Sequence, residues 1–228
     1  PPVETAPGTT PIPAPSSLQA IQALIRELSI SPPFLHTGPV ATEVPPDPVP
    51  EILNPDRLVE LPAGERLLLY KDYMAEENAR LRKVHDEGGG GCEVASLRSA
   101  VIDGLLNSLF HTAVLGTAAP GRVTLVANGG YGRGLLNPGS DIDLLFLLPR
   151  ASHSINKRLK DLIGDVLYPL FDLGFKVGHA SRSIPECISE AKRDPITRTS
   201  LFDHRQLCGD KILYEKFTRR FRQDCILR

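Results

Sequence analysis

The stretch NGGYGRGLLNPGSDIDLLFLL, residues 128–148, decides the fold of this chain. It follows the apolar run 123–127 and contains a glycine cluster, a polar turn at residues 137–140, and a second apolar run opened by Asp141 and Asp143. This order predicts a strand, a flexible glycine loop and a second strand. Because side chains alternate along a strand, the two carboxylates share one face and Ile142 lies on the other.

Two neighbouring carboxylates on one strand face indicate a divalent cation, because such close like charges repel each other without one. Oxygen ligands suit Mg²⁺, which keeps some waters and takes substrate phosphates as further ligands. Gly129 and Gly130 would let backbone N–H groups approach phosphate oxygens. Arg133 offers a charge-assisted contact, and Ser140 either bonds a phosphate or caps the turn. The stretch therefore predicts a site for a metal and a nucleoside triphosphate.

Two common glycine-loop motifs do not fit the spacing. A dinucleotide fingerprint requires G-x-G-x-x-G, but Leu135 stands where the last glycine should be. A P-loop requires Gly-Lys-Ser/Thr after its glycines, and this loop has no lysine. The remaining interpretation is a glycine turn followed by Asp-x-Asp on a strand.

The bulk composition narrows the class of protein. Hydrophobic residues make up 41% of the 228 and charged residues 23%, which is ordinary for a globular protein. A net charge of −1 gives no sign of a nucleic-acid-binding surface. No apolar run approaches the roughly 18 residues of a membrane span, and the first residues do not resemble a signal peptide. The four cysteines contain no CxxC pair, so we expect a cytoplasmic protein with reduced thiols.

Proline usage predicts a domain boundary near residue 55. Residues 1–50 hold 13 of the 21 prolines, and proline both removes a backbone donor and disfavours helix for its predecessor. We therefore expect a disordered arm over residues 1–55, with one short amphipathic helix starting near Ser17. Residues 56–228 form the second domain of this prediction.

Hydrophobic periodicity in the second domain predicts many helices and few strands. This pattern favours an α/β (α+β) fold with a small mixed sheet flanked by helices. The predicted helices cover residues 62–87, 94–114, 155–171, 184–191, 196–206 and 211–226, and the predicted strands cover 122–127, 141–148 and 174–182.

The motif GGYGRGLLNPGSDIDLL, residues 129–145, resembles the nucleotidyltransferase domain of bacterial PII uridylyltransferase/uridylyl-removing enzymes, in the DNA polymerase β-type superfamily. The segments VGHASRSIPECI (177–188) and DHRQLCGD (203–210) resemble later motifs of that family, and the helical region from residue 70 resembles its N-terminal region. The resemblance covers about residues 65–228. It is specific because several motifs agree in order.

The resemblance implies an activity, a cofactor and a partner. The implied reaction is transfer of UMP from UTP to a tyrosine of the PII nitrogen-signalling protein, with release of pyrophosphate and with Mg²⁺ as cofactor. His179 and Arg182 lie in a shared motif without an assigned role. The residues carried over are Asp141 and Asp143 for Mg²⁺ and catalysis, and Gly129, Gly130, Arg133 and Ser140 for the nucleotide.

The sequence departs from the family pattern in two respects. Superfamily members often have a third carboxylate on a later strand, and the matching position here is Lys176. Either two carboxylates suffice, or Asp203 or Asp172 completes the site, or metal binding is weakened. The family's full chains also continue into an HD phosphohydrolase domain and two ACT domains, and these 228 residues contain neither pattern. We therefore expect them to transfer a nucleotide without removing it and without sensing glutamine.

Two alternatives stay open. The glycine–aspartate pattern does not distinguish uracil from adenine, so adenylyl transfer to another protein is one. The other is a non-catalytic regulatory module that binds nucleotide, which the lysine at position 176 favours.

Overall fold

The computed structural model describes residues 50–117 and 122–227, and within them it contains eight α-helices and one four-stranded sheet. The predicted arm and its short helix lie largely outside the described residues, so that boundary stays a prediction. The strands are β1 Thr124–Ala127, β2 Ile142–Leu148, β3 Val177–Ser183 and β4 Arg205–Gly209. The helices are α1 Pro55–Leu58, α2 Ala63–Asp86, α3 Gly91–Thr117, α4 Gly129–Gly132, α5 Lys157–Asp172, α6 Ile184–Arg193, α7 Pro195–Ser200 and α8 Lys211–Phe221.

The sheet is mixed, as the sequence predicted. Its strand order is β3-β2-β1-β4, with β1 antiparallel to both β2 and β4. The strands β2 and β3 run parallel, and α5 makes the crossover that parallel neighbours require. The start of β2 therefore lies beside both the end of β1 and the start of β3.

Each face of the sheet is covered by its own group of helices. Leu144 and Phe146 of β2 belong to a core that includes residues of α2, α3 and α5. Leu145 and Leu147 point the other way and pack with residues of α6 and α8. Alternation along β2 places Asp143 on this second face, at the end of the strand where the helices leave it half-buried.

The two long helices follow their predicted ranges closely. A glycine in the left-handed region, Gly88 with φ of 95°, ends α2. The N–H of Gly88 donates to the carbonyl of His85, and the N–H of Gly89 donates to that of Val84. This pair of bonds is a Schellman motif, and it satisfies carbonyls that the helix end would leave unpaired. No helix in the described part of the chain is both long and apolar enough to cross a membrane.

The helix predicted over residues 196–206 is wrong. The helix α7 starts at Pro195, where the Asp194 carboxylate accepts from the N–H groups of Ile196 and Thr197, but it ends at Ser200. Residues 205–209 instead form β4, whose pairing with β1 outweighs the helical pattern of the local sequence. The predicted flexible loop at the glycine cluster is also wrong, because residues 129–132 form the helical turn α4.

Candidate functional site

The glycine turn α4 follows β1 directly and is shaped by two close approaches. Gly129 has a φ of 57°, in the left-handed region that favours glycine. A Cβ at Gly132 would lie 1.6 Å from the carbonyl oxygen of Asp203, so only glycine fits there. The N–H of Gly132 donates to the carbonyl of Asn128 at 2.9 Å and closes the turn. These constraints give the glycine cluster one defined conformation.

The structure brings the predicted carboxylates together at the start of β2. Asp141 is exposed just before the strand, and Asp143 is half-buried as its second residue. Burial, and secondarily the charge of Asp141, raise the pKa of Asp143 above its usual range. Two acids that repel each other in this way favour a bound cation.

One glycine of β3 and one of the glycine turn leave space for the Asp143 carboxylate. A Cβ on Gly178, the partner of Asp143 on β3, would lie 2.3 Å from Oδ1. A Cβ on Gly129 would lie 3.5 Å from Oδ2. The carboxylate therefore lies between the glycine turn and β3, close to the backbone of both.

Two polar residues at this point were not predicted from the sequence. Asn128 is 8% exposed, its N–H donates to the Asp143 carbonyl at 3.0 Å, and its side-chain Oδ1 is buried without a hydrogen-bond partner. The Ser200 hydroxyl, at the end of α7, would lie 3.5 Å from a Cβ on Gly129. The position of Asn128 immediately before the glycines could have suggested a role. Nothing in the local sequence links Ser200 to the glycine turn.

The other predicted nucleotide contacts lie at the edge of the site. Arg133 Nη1 forms an ion pair with Asp203 Oδ2 at 2.6 Å, and its side chain is more than half exposed. Ser140 is exposed and ends the polar turn, where its N–H donates to the Asn137 carbonyl at 3.1 Å.

A third acid does not join the pair. Within residues 50–117 and 122–227, no three His, Cys, Asp or Glu side chains are grouped closely enough to hold a metal. Asp203 is paired with Arg133, and Asp172, at the end of α5, lines a separate groove. The alternatives that used these two acids are therefore wrong. Lys176, which stands where other superfamily members often have the third acid, lies immediately before β3. Its carbonyl accepts from the N–H of Ile142 at 2.9 Å.

The two shared-motif residues on β3 lie on different faces of the sheet. His179 is exposed and pairs with Leu144, so it points to the face opposite Asp143. Arg182 pairs with Leu147 and shares the Asp143 face, but four positions further along the strand from Gly178. The register partner of Asp143 is Gly178, and neither His179 nor Arg182 pairs with it.

The donor set fits Mg²⁺. It consists of the oxygen atoms of two carboxylates, and the residue that donates its N–H to the Asp143 carbonyl, Asn128, has an unpartnered amide oxygen. Mg²⁺ is commonly bound by one or two carboxylates together with water and substrate phosphates. Asp141 and Asp143 therefore have the ligand chemistry that this ion takes.

Comparison with known proteins agrees with this geometry. A family model described as a nucleotidyltransferase domain matches residues 115–202, which include β1, the glycine turn, β2 and β3. The chain carries a nucleotidyltransferase domain. Its mixed sheet with flanking helices is consistent with the DNA polymerase β-type fold that the sequence predicted.

Curated relatives of the domain carry a more specific name. Proteins named bifunctional uridylyltransferase/uridylyl-removing enzyme are 39% identical in Rhodopseudomonas palustris, 42% in Phenylobacterium zucineum and 43% in Caulobacter vibrioides, over 158, 147 and 145 residues. The aligned segments cover 67%, 62% and 61% of this chain. They cover only 16%, 15% and 15% of those relatives, so the similarity concerns a small part of each relative.

Proposed function

We propose that this chain transfers UMP from UTP to a tyrosine of the PII signal protein, with Mg²⁺ as cofactor and pyrophosphate as the second product. The observation that carries the proposal is the Asp143 carboxylate, held beside Asp141 and close to the glycine turn. The name uridylyltransferase, borne by relatives about 40% identical, supports UTP as the nucleotide.

In this proposal Asp141 and Asp143 bind Mg²⁺, and Asn128, whose N–H donates to the Asp143 carbonyl, joins the end of β1 to this part of β2. Held by Asp141 and Asp143, Mg²⁺ would supply positive charge that offsets the charge of the triphosphate. The chain's own contribution is geometric. It keeps two carboxylates at a fixed place, with Asp143 on β2 and Asp141 immediately before it.

The glycine turn and its flanks bind the triphosphate in this proposal. Gly129 and Gly130 have no side chain to keep phosphate oxygens away from their backbone N–H groups. Arg133 adds positive charge at the edge of the turn, where Asp203 orients its guanidinium. Ser140 lies just before Asp141 and offers a hydroxyl to the nucleotide.

A labelling experiment tests the proposal. The chain is incubated with labelled UTP, Mg²⁺ and PII, and label on PII is measured for the wild type and for Asp141→Asn with Asp143→Asn. A matched control, Asp161→Asn with Asp172→Asn, makes the same two replacements on α5, away from the site. We expect transfer by the wild type and the control, and a loss of at least about 10³-fold in the site variant. Label transfer by the site variant at the wild-type level would contradict the proposed roles of Asp141 and Asp143.

The nucleotide is tested in the same assay by replacing UTP with labelled ATP. Base selection depends on contacts outside the glycine turn, and the residues described above do not include a base-reading group. Label from UTP but not from ATP supports uridylyl transfer. The reverse result, with another protein as acceptor, identifies an adenylyltransferase.

One observation favours a second candidate, a nucleotide-binding regulatory module without catalysis. The described residues supply two acids and no third, and Asp141 and Lys176 immediately precede the register partners Ile142 and Val177. A lysine at this place offsets carboxylate charge and weakens a metal site. Binding of Mg²⁺–UTP in calorimetry, with no transfer to PII at any protein concentration, would select this candidate.

A further inference from the structure

A partly buried polar network lies on the α3 side of the glycine turn. The Tyr131 hydroxyl donates to Asp103 Oδ1 at 2.5 Å. Arg205 donates to both oxygens of the same carboxylate, from Nη1 at 2.6 Å and from Nη2 at 3.1 Å. Its guanidinium also lies 5.5 Å from the centre of the Tyr131 ring. Asp103 thus accepts three hydrogen bonds, which join α3, the glycine turn and β4.

The network lies on the other side of the sheet from the Asp143 carboxylate. Arg205 pairs with Ala127, whose neighbour on β2 is Leu144. Side chains of paired residues share a face, so Arg205 points to the α3 side and Asp143 to the opposite side. Tyr131 is 1% exposed and packs in the α3 core. The network therefore holds the glycine turn from the α3 side of the sheet. A ligand would approach the turn from the Asp143 side.

The segment before β4 contacts the turn at a second point. The Asp203 carbonyl approaches Gly132 so closely that it excludes a Cβ. Arg205, two residues later, donates weakly from Nη2 to the Tyr131 carbonyl at 3.4 Å. The family match at residues 115–202 includes neither Asp103 nor Arg205.

We infer that Asp103 and Arg205 are positioning residues, which act through Tyr131 to hold the glycine turn in place relative to Asp143 and thereby set the affinity for the nucleoside triphosphate. The inference rests on the proposed function for its ligand. Its physical reason is that a short glycine-rich turn has high conformational freedom and needs an external anchor to keep one geometry. The Tyr131 side chain is the anchor, and the bidentate Arg205–Asp103 pair fixes its acceptor.

The decisive variant is Tyr131→Phe, which removes one hydroxyl and keeps the ring in its core. Tyr73→Phe is the matched control, because it removes a buried hydroxyl that donates to the Val101 carbonyl at 3.2 Å, again on α3 but away from the turn. Two quantities are measured: amide hydrogen exchange of residues 128–136 in the protein without ligand, and the Kd for UTP with Mg²⁺.

We expect Tyr131→Phe to raise both the exchange rate of residues 129–134 and the Kd by about tenfold, the effect of losing a hydrogen bond to a charged acceptor. Tyr73→Phe should change neither, although both variants lose some thermal stability. Equal effects of the two variants would show a general loss of stability and overturn the inference. Wild-type values for Tyr131→Phe would overturn it as well.

A double-mutant cycle tests whether the tyrosine acts through Asp103. In an Asp103→Ala background, Tyr131→Phe should add little to the Kd or to the exchange rate, because Asp103→Ala has already removed the acceptor of the Tyr131 hydroxyl. Fully additive effects would contradict the network. The exchange measurement needs no nucleotide, so a wild type that fails to bind UTP refutes the proposed function, whereas the exchange data separately decide whether the network holds the turn.

Discussion

At the scale of single residues, the absence of a side chain at Gly178 decides where Asp143 can lie. We expect Gly178→Ala to displace the carboxylate, because a Cβ would lie 2.3 Å from Oδ1. The Kd for Mg²⁺–UTP should rise by about tenfold or more, in line with the sensitivity of preorganised sites to small displacements. Titration calorimetry checks this, and Gly64→Ala serves as control because a Cβ there meets nothing within 4 Å. An unchanged Kd in Gly178→Ala would show that the carboxylate position is not critical.

The raised pKa of Asp143 predicts how stability depends on pH at this residue. Burial, and then Asp141, make the folded protein hold the Asp143 proton more tightly than the unfolded chain does. The ionised carboxylate therefore lowers stability above the folded pKa, and this effect disappears below the unfolded pKa, about 3.8.

Replacing Asp143 with asparagine should consequently stabilise the metal-free protein at neutral pH. We expect Asp143→Asn to raise Tm by about 2 °C at pH 7 in the presence of EDTA, a small value because water screens the half-exposed group. The difference should vanish by about pH 3.5. Differential scanning calorimetry over this pH range measures it, and a lower Tm for the variant at pH 7 would contradict the assigned sign.

At the scale of elements, the start of α6 shows how a motif residue can be structural. Glu186 lies in the segment 177–188 that resembles a family motif, and its carboxylate accepts from the Ser183 N–H at 2.7 Å and from the Ser152 hydroxyl at 2.7 Å. It therefore caps α6 and ties it to the loop after β2. Although partial burial acts in the opposite direction, these hydrogen bonds lower the pKa of Glu186 to about 2.

The lowered pKa gives a pH window for the cap. Its stabilising effect is fully present above the ordinary pKa of 4.5 and is lost as the pH falls towards about 2. We expect Glu186→Gln to lower the free energy of unfolding by about 1 kcal/mol at pH 7, the usual effect of weakening a helix cap. Urea titrations of both proteins at several pH values test this. A difference that stays constant from pH 7 to pH 2.5 would contradict the hydrogen-bond explanation.

The strand β4 is the element that sequence patterns assigned wrongly. Residues 205–209 follow a short helix, and their local pattern does not exclude continued helix. What decides their conformation is the free edge of β1, which pairs with them over Thr124–Ala127. The error matters for the site, since Arg205 reaches Asp103 from this strand.

At the scale of the whole molecule, one sheet is shared by two apolar cores. Leu105 of α3 belongs to one core and Phe217 of α8 to the other, and both are 0% exposed. We expect Leu105→Ala to destabilise the fold by about 2–5 kcal/mol and Phe217→Ala by about 3–5 kcal/mol. Because both cores pack on the same strands, each variant should unfold in a single transition. Calorimetry that resolved two transitions in either variant would show that the cores unfold independently.

Much of the site could be predicted because its residues are close together in the sequence. The alternation of β2 assigned Asp141 and Asp143 to one face, and the glycine cluster indicated a close backbone approach. Gly178, Ser200 and Arg205 could not be connected to these residues in the same way, because strand register and the return of the chain after α7 bring them near.

The sequence by itself determined the local features of this protein: the two carboxylates on one strand, the glycines before them, the amphipathic helices and the family that these motifs resemble. Such features depend on side-chain periodicity and backbone preferences over a few residues. Only the tertiary structure decided that the glycines form a helical turn, that residues 205–209 form a strand, and that no third acid among the described residues joins Asp141 and Asp143. These outcomes depend on contacts between distant segments, where pairing and packing energies exceed local preference.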